Sequence, residues 1–193
     1  MSNAAMVKGL WPIRHKNGSV YNGQANLYYV GSGESAMFIG DPVIVTGTAD
    51  ARGIPAITLA TAGATHKITG VIVGFKVLPN DLSKVYNPAS TARYALVCDD
   101  PMVVFGVTAD TTAALAVTDI STNANLTAGG GGSTVTGLSS WMLASTSMTA
   151  DATYQLTIER LINRDDNALG STYAQMEVSI NLHSKMSYAI AGI

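Results

Sequence analysis

The sequence predicts an all-β fold, a jelly-roll-like antiparallel β-sandwich with extended N- and C-terminal arms, and three observations carry that prediction. Three apolar runs, Ile68 to Val77, Arg93 to Cys98 and Met102 to Val107, are each too short and too rich in Val, Ile, Phe and Tyr to make a good helix. The breaks between them are turn formers: Pro79, Asn80 and Asp81, then Asn87 and Pro88, then Asp99, Asp100 and Pro101. Later, Tyr154 to Ile162 and Gln175 to Leu182 alternate as half-buried strands do. A total of about eight to ten runs at irregular spacing favours a Greek-key or jelly-roll sandwich over a hairpin-only barrel.

Residues 1–26 mix Gly9, Pro12, Gly18 and Gly23 with Leu10, Trp11, Ile13, Val20 and Tyr21 and show no sustained period. They read as an extended arm. Fixing each backbone residue costs about 1–2 kcal/mol while burying one Trp returns about 4–6 gross, so a single anchor does not order the arm. It needs backbone pairing along a sheet edge, its own or a neighbour's, or the presence of a partner; in the alternative, Trp11 covers the bottom of its own core. Residues 27–185 form the β domain. Leu27 to Val30 and Ala36 to Ile39 are short strands around GSGES, and Pro42 to Thr46 follows. Thr48 to Lys67 reads as a surface excursion with at most one edge strand, Ile57 to Leu59. Only Asp-Asp-Pro separates Cys98 from Met102, so the strands on either side are expected to lie antiparallel, joined by a hairpin or a corner. The alanines of Thr111 to Thr118 suit a short helical turn, Gly129 to Gly132 a loop tip, and NRDDNALGSTY a polar connection. Tyr154, Leu156, Ile158 and Arg160 are assigned to one face of their strand. Residues 186–193 form an apolar tail ending in Ala-Gly-Ile.

In 193 residues, 47% are hydrophobic and only 12% charged, about half the roughly 25% charge of an ordinary soluble protein. Thr, Ser, Asn, Gly and Ala must therefore fill solvent-facing positions, as they do where a surface meets other protein. A net charge of −2 with no Lys/Arg cluster argues against a direct nucleic-acid partner. Cys98 is the only cysteine, which excludes an internal disulfide and reads as a buried thiol. No charged n-region leads into an apolar h-region, and no apolar segment approaches the roughly 20 residues of a membrane span, so assembly in the cytosol is expected.

The chemistry-bearing residues form no recognisable constellation. His15, His66 and His183 are far apart and lack ligand spacing, so no metal or other cofactor is expected. Gly31 and Gly33 lack the Gly-Lys-Ser/Thr ending of a phosphate loop. Asp165, Asn167 and Gly170 match three offsets of a calcium loop, but Leu169 and Met176 stand where oxygen ligands belong. Asp99 and Asp100 are adjacent in a turn and point apart, and no Gly-x-Ser-x-Gly elbow is present. The chain does not read as an enzyme.

Several phrases occur in a characteristic order: WPIRHKNGSVYNGQ, FIGDPVIVTG, ITGVIVGF, LSKVYNPAST, VCDDP, ATYQLTIERLINRDDN, EVSINLH and the closing AGI. In this order the chain resembles the cement, or head-decoration, proteins of tailed bacteriophages, over nearly its whole length outside 48–67 and 109–148. The resemblance implies a jelly-roll-like virion protein, made in the host cytoplasm, that binds the outer surface of the assembled capsid and bridges capsomers against internal DNA pressure. Its partners would be the major capsid protein and itself, as a homodimer first and a trimer second, with no membrane and no direct nucleic acid. The residues expected to meet a partner are Trp11, Pro12, Arg14 and Tyr21 in the arm, Arg164, Asp165 and Asp166 in the polar connection, and Tyr188, Ile190 and Ile193 in the tail. The alternative is a virion-surface carbohydrate-binding module, with Tyr86 beside Asn87, or Tyr173 near Asp165 and Asp166, as its aromatic platforms.

Overall fold

The run ITGVIVGF is apolar without alternation because its strand is buried on both faces: Val71 packs into one hydrophobic core and Ile72 into another, both fully excluded from solvent. The computed structural model describes residues 3–79, 81–127, 131–146, 148–186 and 192. Its strands are β1 (Trp11–His15), β2 (Asn26–Val30), β3 (Pro42–Ala49), β4 (Pro55–Leu59), β5 (Gly70–Phe75), β6 (Arg93–Cys98), β7 (Val103–Thr108), β8 (Asn123–Ala124), β9 (Leu126–Thr127), β10 (Met142–Leu143), β11 (Leu156–Leu161) and β12 (Gln175–Ile180). The helical turn expected from the alanines after Thr111 is a single 3₁₀ turn, Val117–Asp119.

The fold is all-β, in two layers. One is a five-stranded antiparallel sheet in the order β1-β7-β12-β11-β8, and the other is a closed barrel of β2, β4, β3, β5 and β6. The all-β class matches the expectation; within it the second layer curls shut, because β4 pairs in parallel with β2 (Tyr29 opposite Ala56, Val30 opposite Ile57) as well as antiparallel with β3. Residues 48–67 are therefore no surface excursion with an edge strand. Strand β4 is interior, and Ile57 is fully buried in the barrel with Tyr28, Val30, Met37, Val43, Ile72, Ala95 and Val97. The larger core lies between the layers, where Phe105, Val107, Met176, Val178, Leu156 and Ile158 of the sheet meet Ile68, Val71 and Cys98.

The Asp-Asp-Pro link is a corner: β6 belongs to the barrel and β7 to the sheet. Asp99 pins it. Its carboxylate accepts from Asn26 Nδ2 at 2.8 Å and from the Tyr28 hydroxyl at 2.6 Å, and it pairs with the Lys185 ammonium. Burial pushes the Asp99 carboxyl up, but Lys185, Tyr28 and Asn26 outweigh it and hold the group below the usual carboxylate range.

The N-terminal segment crosses the barrel mouth at a glycine contact. Gly9 has φ +70° and Gly40 φ +97°, and a Cβ on Gly40 would lie 2.3 Å from the Lys8 carbonyl oxygen, so neither position tolerates a side chain. Beside the crossing, Asp41 is 1% exposed; its Oδ2 accepts from the Phe38 N–H at 2.7 Å, and its Oδ1 has no partner. Gly132, expected at a loop tip, packs instead against Phe38, whose ring would lie 2.5 Å from an added Cβ. Gly129 and Gly130 lie outside the described residues.

Candidate functional site

The outer face of the sheet is assembled by two β-bulges. In β1 the register with β7 slips between Pro12 and Arg14, so Trp11 lies opposite Gly106 and Arg14 opposite Val104, two positions on the same face. In β11 the register slips between Ile158 and Arg160, which brings Arg160 opposite Glu177 and Leu161 opposite Met176. Arg160 consequently leaves the face of Leu156 and Ile158 to which plain alternation assigns it. Trp11, Gly106, Glu177 and Arg160 then form one row across four strands.

Contacts along this row are close. The Trp11 indole lies flat over Gly106, where an added Cβ would sit 2.2 Å from Cε2. This is why a glycine interrupts the otherwise apolar VVFGVT. Arg14 donates from Nε to Glu177 Oε2 at 2.9 Å and brings Nη2 to 2.7 Å of the same oxygen, while Arg160 Nε reaches it at 3.0 Å. The Glu177 side chain is 8% exposed between them. The Ser179 hydroxyl donates to Glu159 Oε1 at 2.7 Å, and Lys16 pairs with Glu159 at 3.7 Å. Above Trp11, the Lys8 ammonium stands 3.9 Å from the ring centroid; burial and the Arg164 guanidinium push its pKa down. Beneath this canopy Val104 and Ser179 are buried although they face away from the core.

The start of the chain is tied into the same surface. The Asn3 side chain donates to the carbonyls of Ala168 and Thr172 and accepts from the Ala168 N–H at 2.8 Å, and the Thr108 hydroxyl donates to the Met6 carbonyl at 2.7 Å. Of the residues singled out in the arm, Trp11 and Arg14 belong to an edge strand of their own sheet. Arg164 joins them from the polar connection, reaching Gln175 Oε1 at 3.2 Å and pairing with Asp166 at 2.6 Å. Asp165 is exposed beside that pair.

Pro12 and Tyr21 turn the other way. With Leu10, Ile39, Ile72 and Leu138 they line a mostly apolar hollow of about 280 Å³ at the seam between sheet and barrel. The Tyr21 hydroxyl donates to the Gln24 carbonyl at 2.8 Å. Burial beside Cys98 pushes its phenol up to about 12, and burial likewise pushes the Cys98 thiol up to about 11. Tyr188, Ile190 and Ile193 lie outside the described residues; Gly192 lies against Ser121 to Asn123, with a would-be Cβ 2.7 Å from the Ser121 carbonyl oxygen.

The two proposed sugar platforms, Tyr86 and Tyr173, are each half-buried. Tyr86 stacks on Phe38 at 5.1 Å and 9°, and Asn87 is fully buried, its amide donating to the Thr91 carbonyl. Tyr173 holds a positive φ of 60° in its loop. Among the described residues no cluster of three His, Cys, Asp or Glu side chains is placed to hold a metal ion.

Lys8, Gly106, Arg160 and Glu177 complete the surface and were not among the residues expected from the sequence to meet a partner. Only Gly106 carried a local signal, as a glycine inside a buried strand. Chemically the face is an aromatic anchor with guanidinium groups held in place by a shared, shielded carboxylate. Replacing Glu177 with Ala should lower the urea midpoint by an amount equivalent to about 1 kcal/mol, discounted because the Arg160 side chain is 58% exposed. No family model, curated protein or solved structure matches the chain.

Proposed function

We propose that this chain is a virion structural protein that binds the outer surface of an assembled tailed-phage capsid, bridges neighbouring capsomers and stabilises the head against internal DNA pressure. The observation that carries the proposal is the outer sheet face, where Trp11 is held over Gly106 beside the Arg14–Glu177–Arg160 row. Trp and Arg are the residue types that dominate protein-binding energetics, and here the fold fixes both before any partner arrives. The partner in this reading, the major capsid protein, rests on the resemblance of the ordered phrases to cement proteins. Self-association as a dimer, or secondarily a trimer, would give each assembly more than one capsid contact, so that modest patches hold through effective concentration.

Particles lacking the protein are expected to assemble but to release DNA at a lower temperature, followed with an intercalating dye, and purified protein should restore the release temperature because it stabilises the bound lattice by mass action. Trp11→Ala should weaken that rescue about thirtyfold in required concentration, the equivalent of about 2 kcal/mol for a buried interface aromatic. Identical release curves with and without saturating protein would refute the cementing role.

A further inference from the structure

We propose that the cleft between Tyr29, Tyr94 and the connection that follows β5 binds a six-membered ring carrying an anionic group. The cleft is on the barrel wall, apart from the sheet face above, and the proposal does not depend on capsid binding.

Its floor is a cross-strand tyrosine pair. Tyr29 of β2 and Tyr94 of β6 are directly opposite, with ring centroids 5.7 Å apart and planes inclined at 56°. The Tyr94 hydroxyl donates to Asp50 Oδ2 at 2.6 Å, which fixes the ring's reach across the strands. The facing wall is Val77, Leu78 and Pro79. That wall is held by Arg93, whose guanidinium donates to the carbonyls of Lys76 at 2.7 Å, Tyr86 at 2.7 Å and Lys84 at 3.2 Å. Both sides are thus set in advance, which lowers the ordering cost of binding.

Size and charge define the occupant. The cleft has a volume of about 320 Å³, and since a cavity of about 150 Å³ accepts benzene, there is room for one ring and its substituent. The lining includes two cations, Lys76 and Arg93, and no carboxylate. Arg93 donates to carbonyls and also feels the Asp81 carboxylate, so the cation left to meet a ligand is Lys76, whose ammonium stands 5.7 Å from the Tyr94 ring centroid. A ring stacked on tyrosine would present an anionic substituent to that ammonium. Aromatic acids and acidic sugars share this chemistry, because both place a ring face on the tyrosines.

The test is a ¹⁵N–¹H titration of the full chain with phenyl phosphate and, separately, with D-glucuronate. At least one probe should shift the amides of Tyr29, Val77 and Tyr94 with a millimolar dissociation constant, as expected of so small a ligand. A response to phenyl phosphate alone identifies an aromatic ligand, and one to glucuronate alone an acidic sugar. Lys76→Glu and Tyr94→Ala should each weaken binding about tenfold or more, while Tyr94→Phe, which keeps the ring but loses the Asp50 bond, should stay within about threefold. The spectra themselves report whether each variant is folded. No response to either probe, shifts centred on other amides, or binding indifferent to Lys76→Glu would each overturn the proposal.

Discussion

Replacing Asp41 by Asn is expected to flatten the pH dependence of stability between about pH 3.5 and 8, removing the fall of about 6–12 °C in melting temperature that this group imposes on the wild type as pH rises. Burial pushes the Asp41 carboxyl up to about 6, against the opposing pull of the Ser139 hydroxyl and the Phe38 N–H. A folded-state pKa above the unfolded value means that the protonated acid is what the fold favours. Its stabilising contribution is complete below the ordinary carboxylate value of about 3.8 and is lost as pH rises to and through about 6. A gap of about two pH units corresponds to about 3 kcal/mol once the group is ionised. Asn keeps the oxygen that accepts from Phe38 and cannot ionise, but it places amide N–H donors where Oδ1 has no partner, so a pH-independent cost of about 1–3 kcal/mol replaces the pH-dependent one. Thermal scans of both proteins between about pH 3.5 and 8 measure the difference directly. A parallel offset at every pH would mean that Asp41 is not the titrating group.

The second large effect is expected from Gly106→Ala. One methyl group there must displace the Trp11 indole, because the new Cβ would stand 2.2–2.6 Å from three atoms of the ring. Overpacking of this kind costs about 1–3 kcal/mol, and here it falls on an edge strand whose main partner is β7, with a short Arg14–Val20 bridge on its other side. Strand β1 should loosen, and with it the Arg14 contact to Glu177. Tryptophan emission reads this out, since Trp141 is 5% exposed within the core and should stay blue while Trp11 shifts red. The same variant should lose the capsid rescue seen with wild-type protein. Unchanged emission with unchanged rescue would show that the indole can move aside without consequence.

How much of this was legible in the sequence follows from which forces are local. Strands β5, β6, β7, β11 and β12 were readable because burial dictates the residue at each position, as in Met176, Val178 and Ile180. Strand β4 was taken for an edge because Thr48 to Gly53 is polar and turn-rich, yet Ala56 and Ile57 are buried by barrel closure, a pairing with β2 that no local window contains. The arm left several alternatives open, and pairing on the edge of its own sheet is the one observed for Trp11–His15. At the surface, Trp11, Arg14 and Arg164 were found by residue type. Arg160 was missed because a bulge moves every later side chain of β11 by one position, and bulges are set by the partner strand; Glu177 faces outward by plain alternation, but its role depends on Arg14 and Arg160 arriving from other strands.

Ways of ending a sheet decide whether a chain with so little charge stays dispersed. The barrel has no ends to offer, since β6 returns to β2 and the ladder closes on itself. The open sheet has two, and each is a poor template. On one side β1 carries Pro12, which has no N–H to donate, next to a bulge that twists the strand away. On the other, β8 is two residues long. Along these two edges the described residues offer a second chain arriving sideways no long run of free backbone groups to extend, so neither end of the sheet favours zipping copies into fibrils.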